Sequence, residues 1–305
     1  LYTIQERNRF KLVANTLQRF LFEHSNIRGE IVSLDSSWKS VLARRNYPPS
    51  VRKLLGEITA ATALLSATIK LDGTLSIQFK GQSALLLLLA ETSGKSSFRS
   101  TAKWRDNKEL AEPNVNLLAQ GTLAVTITPK KSGQAYQGLV NVDSDSIQKS
   151  LEEYMQQSEQ LTTRLWLASN DQKATGILLQ KLPMEHRDVS DDWHRITTLA
   201  STVTNEELLN LDFETILKRL FHEETIRVFE ENPVIFSCSC SENRTEGMLQ
   251  SLGESEVRAI LSEEGNVNIT CEFCGKNYIY SSSGIDRIFS NESRESTRKT
   301  HGFIN

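Results

Sequence analysis

Cys238-Ser-Cys240 and Cys271-Glu-Phe-Cys274 hold all four cysteines of the chain, and 30 residues, 241–270, separate the two pairs. Two thiolate pairs complete a tetrahedral zinc site, with Zn–S near ~2.3 Å. Gly275 follows the second pair directly and suits a tight turn that aims backbone N–H groups at a sulfur. His222 and His301 lie outside the motifs. Four cysteine ligands leave no open coordination position, which argues against hydrolytic zinc chemistry. The cysteines sit in about 55 residues, Val234 to Ile288. A unit that small buries little core and depends on its metal to fold.

A plain structural zinc ribbon is one reading of these residues. The spacing of the first pair points past it, because ribbons place two or more residues between paired ligands. A disulfide closed across one intervening residue makes a small, strained ring, and strained, exposed disulfides are the labile, regulatory ones. Metal-held sulfurs are thiolates, the reactive form. Oxidation would expel the ion and with it folding energy on the order of 10–16 kcal/mol, the range for small zinc peptides. Cys238, Cys240, Cys271 and Cys274 are therefore read as ligands of one zinc ion and as a redox switch.

Upstream, residues 185–235 carry 12 acidic and 5 basic side chains, net −7. Short amphipathic helices are expected over Asp191–Ser201, Asn205–Leu211 and Phe213–Phe221. Helices this short owe their order to packing, and Leu199, Leu208, Leu209, Leu217 and Leu220 are the side chains expected to bury on the first domain. Residues 1–184 carry net +7 and residues 236–305 net −3. The opposite charges of the first two parts invite docking.

Within 1–184 the pattern is mixed. Leu17, Phe20 and Leu21 have helical spacing, so Val13–Glu23 reads as a short helix, and Gly29–Leu34 as extended. Asp35 can cap a helix running to about Arg45, which Pro48-Pro49 ends. Ser50 can cap the next helix, apolar nearly all round and therefore buried. Asp72-Gly73 reads as a turn before the alternating Leu75, Ile77 and Phe79. Ala84–Ala90 reads as a strand buried on both faces. Leu123, Val125 and Ile127 alternate, and after a turn at Lys131-Ser132-Gly133 the chain returns over Tyr136–Val142. Asp143 or Ser144 can cap a helix carrying Ile147, Leu151, Tyr154 and Met155. Strands follow near Thr162–Ala168 and Gly176–Leu182. The expected class is α+β: an N-terminal mixed α/β core domain (1–184), an acidic, metastable helical linker (185–235) and a small C-terminal zinc-binding domain with four cysteine ligands (236–305).

The longest apolar run, Ala84–Ala90, is far short of the ~20 residues of a membrane span. Leu1–Arg9 holds no apolar signal core. A cytosolic, reducing compartment is the expectation, where four cysteines favour metal or redox chemistry over structural disulfides. No GxSxG and no GxxxxGK[ST] occurs, so neither hydrolase nor ATP-driven chemistry is expected. Trp38, Trp104, Trp166 and Trp193 are scattered and read as packing residues.

The chain resembles the 33 kDa chaperonin family (heat shock protein thirty-three), redox-regulated holdases of bacteria. The likeness runs from about Asn15 to about Asn291. It is carried by Leu21-Phe-Glu23 with Arg28-Gly-Glu30, Asp72-Gly-Thr-Leu-Ser-Ile-Gln-Phe-Lys-Gly81, Tyr136-Gln-Gly138, Ser158-Glu-Gln-Leu161 with Thr163-Arg-Leu165, Gly176-Ile-Leu-Leu-Gln180 and Arg219-Leu-Phe-His-Glu-Glu224. The CxC and CxxC motifs, with Tyr278, complete it. The resemblance implies a reduced form that binds one Zn2+ per chain and is inactive. Oxidants would convert it to Cys238–Cys240 and Cys271–Cys274 disulfides and release the zinc. The linker would then unfold and bare a surface for unfolding or aggregating client proteins. The implied active form is a cytoplasmic homodimer that needs no ATP and is not an enzyme.

Two other classes compete on the residues alone. A zinc-ribbon nucleic-acid binder needs a basic patch, yet residues 236–305 are net −3, so no nucleic-acid or membrane partner is expected. A thiol–disulfide oxidoreductase would explain the CxxC pair, but no βαβ pattern surrounds it.

Overall fold

The computed structural model describes residues 2–3, 15–69, 73–94, 96–105, 110, 115–130, 133–142, 145–183 and 190–290. The chain forms two compact units that divide between Ser237 and Cys238. The first begins β1 (Tyr2–Thr3), β2 (Thr16–Phe22), β3 (Ile27–Leu34), α1 (Ser36–Leu42), α2 (Pro49–Thr68), β4 (Gly73–Lys80), β5 (Leu85–Ser93), β6 (Ser97–Trp104), β7 (Gly121–Pro129) and β8 (Tyr136–Val142). It continues α3 (Ile147–Gln157), β9 (Thr163–Ser169), β10 (Ala174–Lys181), α4 (Ser190–Ala200), α5 (Asn205–Asn210), α6 (Phe213–Leu220), β11 (Ile226–Val228), β12 (Asn232–Pro233) and β13 (Ile235–Phe236). The class is α+β, with two mostly antiparallel sheets ordered β1-β11-β2-β3-β10-β9, with β12 also on β2, and β13-β6-β5-β4-β7-β8. Among the described residues, no helix is long and apolar enough to cross a membrane.

Helix α2 explains the arrangement. Pro49 sits at its first position, where the missing N–H costs nothing, and its side chains from Val51 to Ala67 are mostly buried. It contacts β4, β5 and β6 of one sheet and β3, β9 and β10 of the other. A helix held between two sheets must be apolar all round, as its sequence is. Ser50 does not cap it; its hydroxyl donates to the Leu110 carbonyl. Asp35 stands at the start of α1 without a side-chain cap bond. Asn15 Oδ1 accepts the Asp35 and Ser37 N–H groups there instead.

The expected helix over Val13–Glu23 is in fact the strand β2. Leu17 faces the α2 core, while Phe20 and Phe22 face a second apolar layer. A strand buried on both faces loses its polar alternation, and the remaining apolar spacing imitates a helix. The strand β5 corrects in the opposite direction. Leu85, Leu88 and Ala90 are buried, but Leu86, Leu87 and Leu89 are only partly so, and a bulge interrupts the ladder at Leu85/Leu87. Helix α3 is capped by Ser146, whose hydroxyl accepts from Lys149 N–H. Asp72, Lys131, Ser132, Asp143 and Ser144 lie outside the described residues.

A second apolar layer lies on the other face of the first sheet. Helices α4, α5 and α6 cover the face of the first sheet opposite α2. Ile196, Ala200, Leu208, Ile216, Leu217 and Leu220 join Phe20, Phe22, Ile31, Ile177 and Leu179 in one buried cluster. Leu199 and Leu209 pack at its border. Phe221 meets Phe22 edge-on at 5.0 Å between ring centres. Gly29 permits this layer, because a Cβ there would collide with the Phe20 ring. The contact between these helices and the sheet is an apolar layer. Among the described residues, ion pairs of residues 190–224 are internal to that segment, as in Arg219–Glu207, Arg195–Glu224 and Lys218–Glu214. Two of these helices are sealed locally, α5 by a Thr204/Glu207 capping box and α6 by Asp212 accepting from Thr215 N–H.

Candidate metal centre

The second unit contains α7 (Glu242–Leu252), α8 (Glu254–Glu264), β14 (Val267–Thr270), β15 (Asn277–Tyr280) and a helical stretch over residues 282–290. Its core is small: Leu249, Val257, Val267, Tyr278, Tyr280, Ile285, Ile288 and Phe289. Gly265 ends α8 in the left-handed conformation at φ 78°.

Cys238 and Cys240 lie just ahead of α7, whose N-cap Ser241 accepts from Arg244 N–H. Cys240 thus precedes a helix start, where N–H dipoles favour negative charge. Ser239, between the two cysteines, accepts a 2.6 Å hydrogen bond from Arg244 Nη1. Cys271 and Cys274 occupy the turn of the β14–β15 hairpin. Gly275 N–H donates to the Cys271 carbonyl at 2.8 Å and Cys271 N–H to the Lys276 carbonyl at 2.9 Å. The tight turn requires Gly275 at φ 69°.

Folding brings the two motifs together. The four sulfurs all lie within 4.8 Å of one another. Cys238 Sγ is 3.6 Å from Cys271 Sγ, and Cys240 Sγ is 3.3 Å from Cys274 Sγ. A tetrahedron with Zn–S near ~2.3 Å has edges of about 3.8 Å, so the cluster fits such an ion with small adjustment. All four side chains are partly buried. A donor set of sulfur alone suits zinc over hard cations.

The thiols are not equivalent. Burial pushes Cys238 up and pushes Cys274 up to about 12. Burial also raises Cys240, but the Tyr278 hydroxyl and the other three thiols outweigh it and hold Cys240 down at about 7. Backbone N–H groups of Cys240 and Lys276 donate towards Cys238 and Cys274 respectively. Such N–H···S contacts favour thiolate. The arrangement can bind a soft metal ion, and it leaves sulfurs near enough for oxidation to join them.

A sequence profile of the family described as Hsp33 protein matches residues 15–281. The chain belongs to the Hsp33 family. It is 43% identical over 275 residues to the 33 kDa chaperonin of Chromobacterium violaceum, covering 90% of this chain and 93% of that one. It is 41% identical over 291 residues to the 33 kDa chaperonin of Pseudomonas aeruginosa, covering 93% and 97%. The crystal structure of the 33 kDa chaperonin of Thermotoga maritima superimposes with a TM-score of 0.78 at 17% identity, over 92% of this chain and 99% of that one. The Hsp33 fold is thereby shared. Within this Hsp33 chain, reading the motifs found the four cysteines but missed Ser241, Arg244 and Lys276 around them. The alternation Asn277-Tyr-Ile-Tyr280, inward at both tyrosines, was the signal available for Tyr278.

Proposed function

We infer that this protein is an ATP-independent holdase chaperone, cytoplasmic, switched on by oxidation of a zinc centre. The observation that carries the reading is the joint presence of the four-sulfur cluster and an apolar sheet face covered only by short helices. Zinc, when bound, holds the four sulfurs as thiolates and supplies folding energy to a unit with little core. Cys238 and Cys240 are tethered by one residue, Cys271 and Cys274 by two. Once the cluster loosens, closing these short loops is entropically favoured over bridging about 30 residues. Each thiolate pair gives up two electrons to one molecule of hydrogen peroxide, which takes two protons from solvent and leaves as two waters, and a disulfide forms within each pair.

The residues 185–235 act as the linker that reads this event. Just before Cys238, Ile235 and Phe236 pair with Ser97 and Phe98, and Ser237 N–H donates to the Phe98 carbonyl at 2.9 Å. Unfolding beyond that point loosens a two-residue pairing and then the docked helices. Undocking bares the Phe20, Phe22, Ile177 and Leu179 face, an apolar surface suited to unfolded chains. Active chains associate as homodimers, and the clients are unfolding or aggregating proteins.

The test measures suppression of client aggregation by reduced and by peroxide-treated protein, following zinc release and mapping disulfides by mass in the same samples. The expected result is activity only after oxidation, one zinc released per chain, and Cys238–Cys240 with Cys271–Cys274 as the dominant bridges. Activity that ignores the redox state would sink the switch. Dominant Cys238–Cys271 or Cys240–Cys274 bridges, the pairs in contact across the motifs, would sink the pairing.

A further inference from the structure

The last residues of the first unit form a strap that crosses from one sheet to the other. Strand β12 pairs with β2, Asn232 beside Leu17. Strand β13 runs parallel to β6, Ile235 beside Ser97. Backbone groups hold the strap in place. Ile235 N–H donates to the Ser96 carbonyl at 2.9 Å and Ser237 N–H to the Phe98 carbonyl at 2.9 Å. Val234 N–H donates to the Asn15 carbonyl at 2.7 Å, and the Val234 carbonyl accepts from Ser37 Oγ at 3.3 Å. Any polypeptide offers such groups. The side chains alternate. Val234 is 2% exposed and Ile235 53%, while Phe236 packs on the core, edge-on to Phe98 with ring centres 6.3 Å apart. Arg44 Cζ lies 5.9 Å from the centre of the Phe236 ring. The strap thus meets β6 as an extended peptide meets a receptor sheet, with main-chain bonds for affinity and alternate side chains for selection. Its ladder is two residues long, and a sheet edge once vacated is a template for another chain.

We propose that the groove along β6 that holds residues 234–237 is a client-binding site, and that the strap is its built-in occupant. Once the strap withdraws, the groove takes an extended segment of an unfolded chain. That segment carries an apolar residue at the Val234 position and an aromatic one two residues on. The proposal rests on the holdase reading and gives it a second site, apart from the sheet face beneath α4, α5 and α6. Its test uses the full-length protein, reduced and peroxide-treated, and a fluorescent peptide of sequence Asn232-Pro-Val-Ile-Phe-Ser237. One variant peptide is N-methylated at the Ile235 and Ser237 nitrogens, another at the Phe236 nitrogen. The readouts are peptide affinity, suppression of client aggregation with excess peptide present, and oligomeric state.

Oxidised protein should bind the plain peptide and lose aggregation suppression to it, while reduced protein, its groove filled, should bind it far more weakly. Methylation at Ile235 and Ser237 removes both donors to β6 and should weaken binding roughly 10- to 100-fold. Methylation at Phe236, whose N–H the ladder turns away from β6, should have little effect. Arg44→Ala, a change at an exposed side chain, should weaken the plain peptide about 2- to 5-fold, as loss of a surface cation–π contact does. It should leave binding of a Phe236→Ala peptide unchanged. Equal losses from the two methylations overturn the proposal, because binding then has no ladder register. Equal affinity for reduced and oxidised protein overturns it too, because the strap is then not the occupant. A peptide that binds but displaces no client also overturns it; if that peptide splits oxidised dimers, the groove belongs to the strap of a second copy. Oxidised protein that suppresses no aggregation even without peptide defeats the holdase reading itself, and the proposal with it.

Discussion

Leu217→Asp should suppress client aggregation in reduced, zinc-loaded protein, without any oxidant. Leu217 is 1% exposed, in the middle of the layer between α6 and the first sheet. A carboxylate there would sit among the apolar side chains of that layer, and an uncompensated buried charge costs about 3–5 kcal/mol. The chain avoids that by undocking. Helices of 11, 6 and 8 residues hold little structure of their own, so one buried charge shifts the docking balance roughly 100- to 4000-fold. His194→Asp adds a charge of the same sign on the exposed side of α4 and should stay silent. Hydrogen exchange over residues 190–221 reports the undocking, and zinc content reports the metal centre. Fast exchange in Leu217→Asp with no gain in aggregation suppression would show that the bared face does not hold clients.

The same layer shows what local sequence could and could not reveal. The leucines of α5 and α6 have helical spacing in an otherwise acidic stretch, so the helices and their buried side were legible. Their docking partner was half hidden, because β2 lacks the polar alternation of a strand. Strands β4 and β7 alternate cleanly and were read directly, and β8 was read as the return after the turn. The strand β6, Ser97-Phe-Arg-Ser-Thr-Ala-Lys-Trp104, carries too few apolar residues to announce itself. Its order comes from β5 and from β13, the latter only two residues long. Pairings that short exist only in tertiary context and leave no local pattern.

At the candidate metal centre, spacing alone picked out the four cysteines whose sulfurs the fold brings within 4.8 Å of one another, since paired cysteines are a chemical signature independent of fold. Which sulfurs become nearest neighbours was not legible. That depends on how residues 241–270 fold back, and those helices have weakly segregated faces. Two sulfur contacts in the structure run between the motifs, at 3.6 and 3.3 Å, whereas chain tethering favours pairing within them. On the proposed switch, metal binding would match the folded geometry, and disulfide formation within each motif would follow its loss. A switch of that kind would have to pass through local unfolding.

Removing the metal from reduced protein should accordingly unfold residues 238–290 and leave the two-sheet core folded. The second unit has a core of eight buried side chains. Its ligands come from the chain before α7 and from the β14–β15 turn, parts held to each other otherwise by contacts such as Tyr280 with Thr245. The stability of a whole domain is about 5–15 kcal/mol, and a structural zinc supplies apparent binding energy on the order of 10–16 kcal/mol. The metal contribution is thus as large as everything else that could hold this unit. Chelator-treated protein should lose amide protection across α7, α8 and β14, while β3 and β10, paired on both sides in the first sheet, keep theirs. Residues 190–221 should follow the second unit, because their docking depends on the short pairing that precedes Cys238. Protection of 238–290 that survives chelation would mean the sulfur cluster is not what folds this unit. Loss of protection there with 190–221 unchanged would mean the docked helices do not read the metal state, and the covered sheet face would need another way to open.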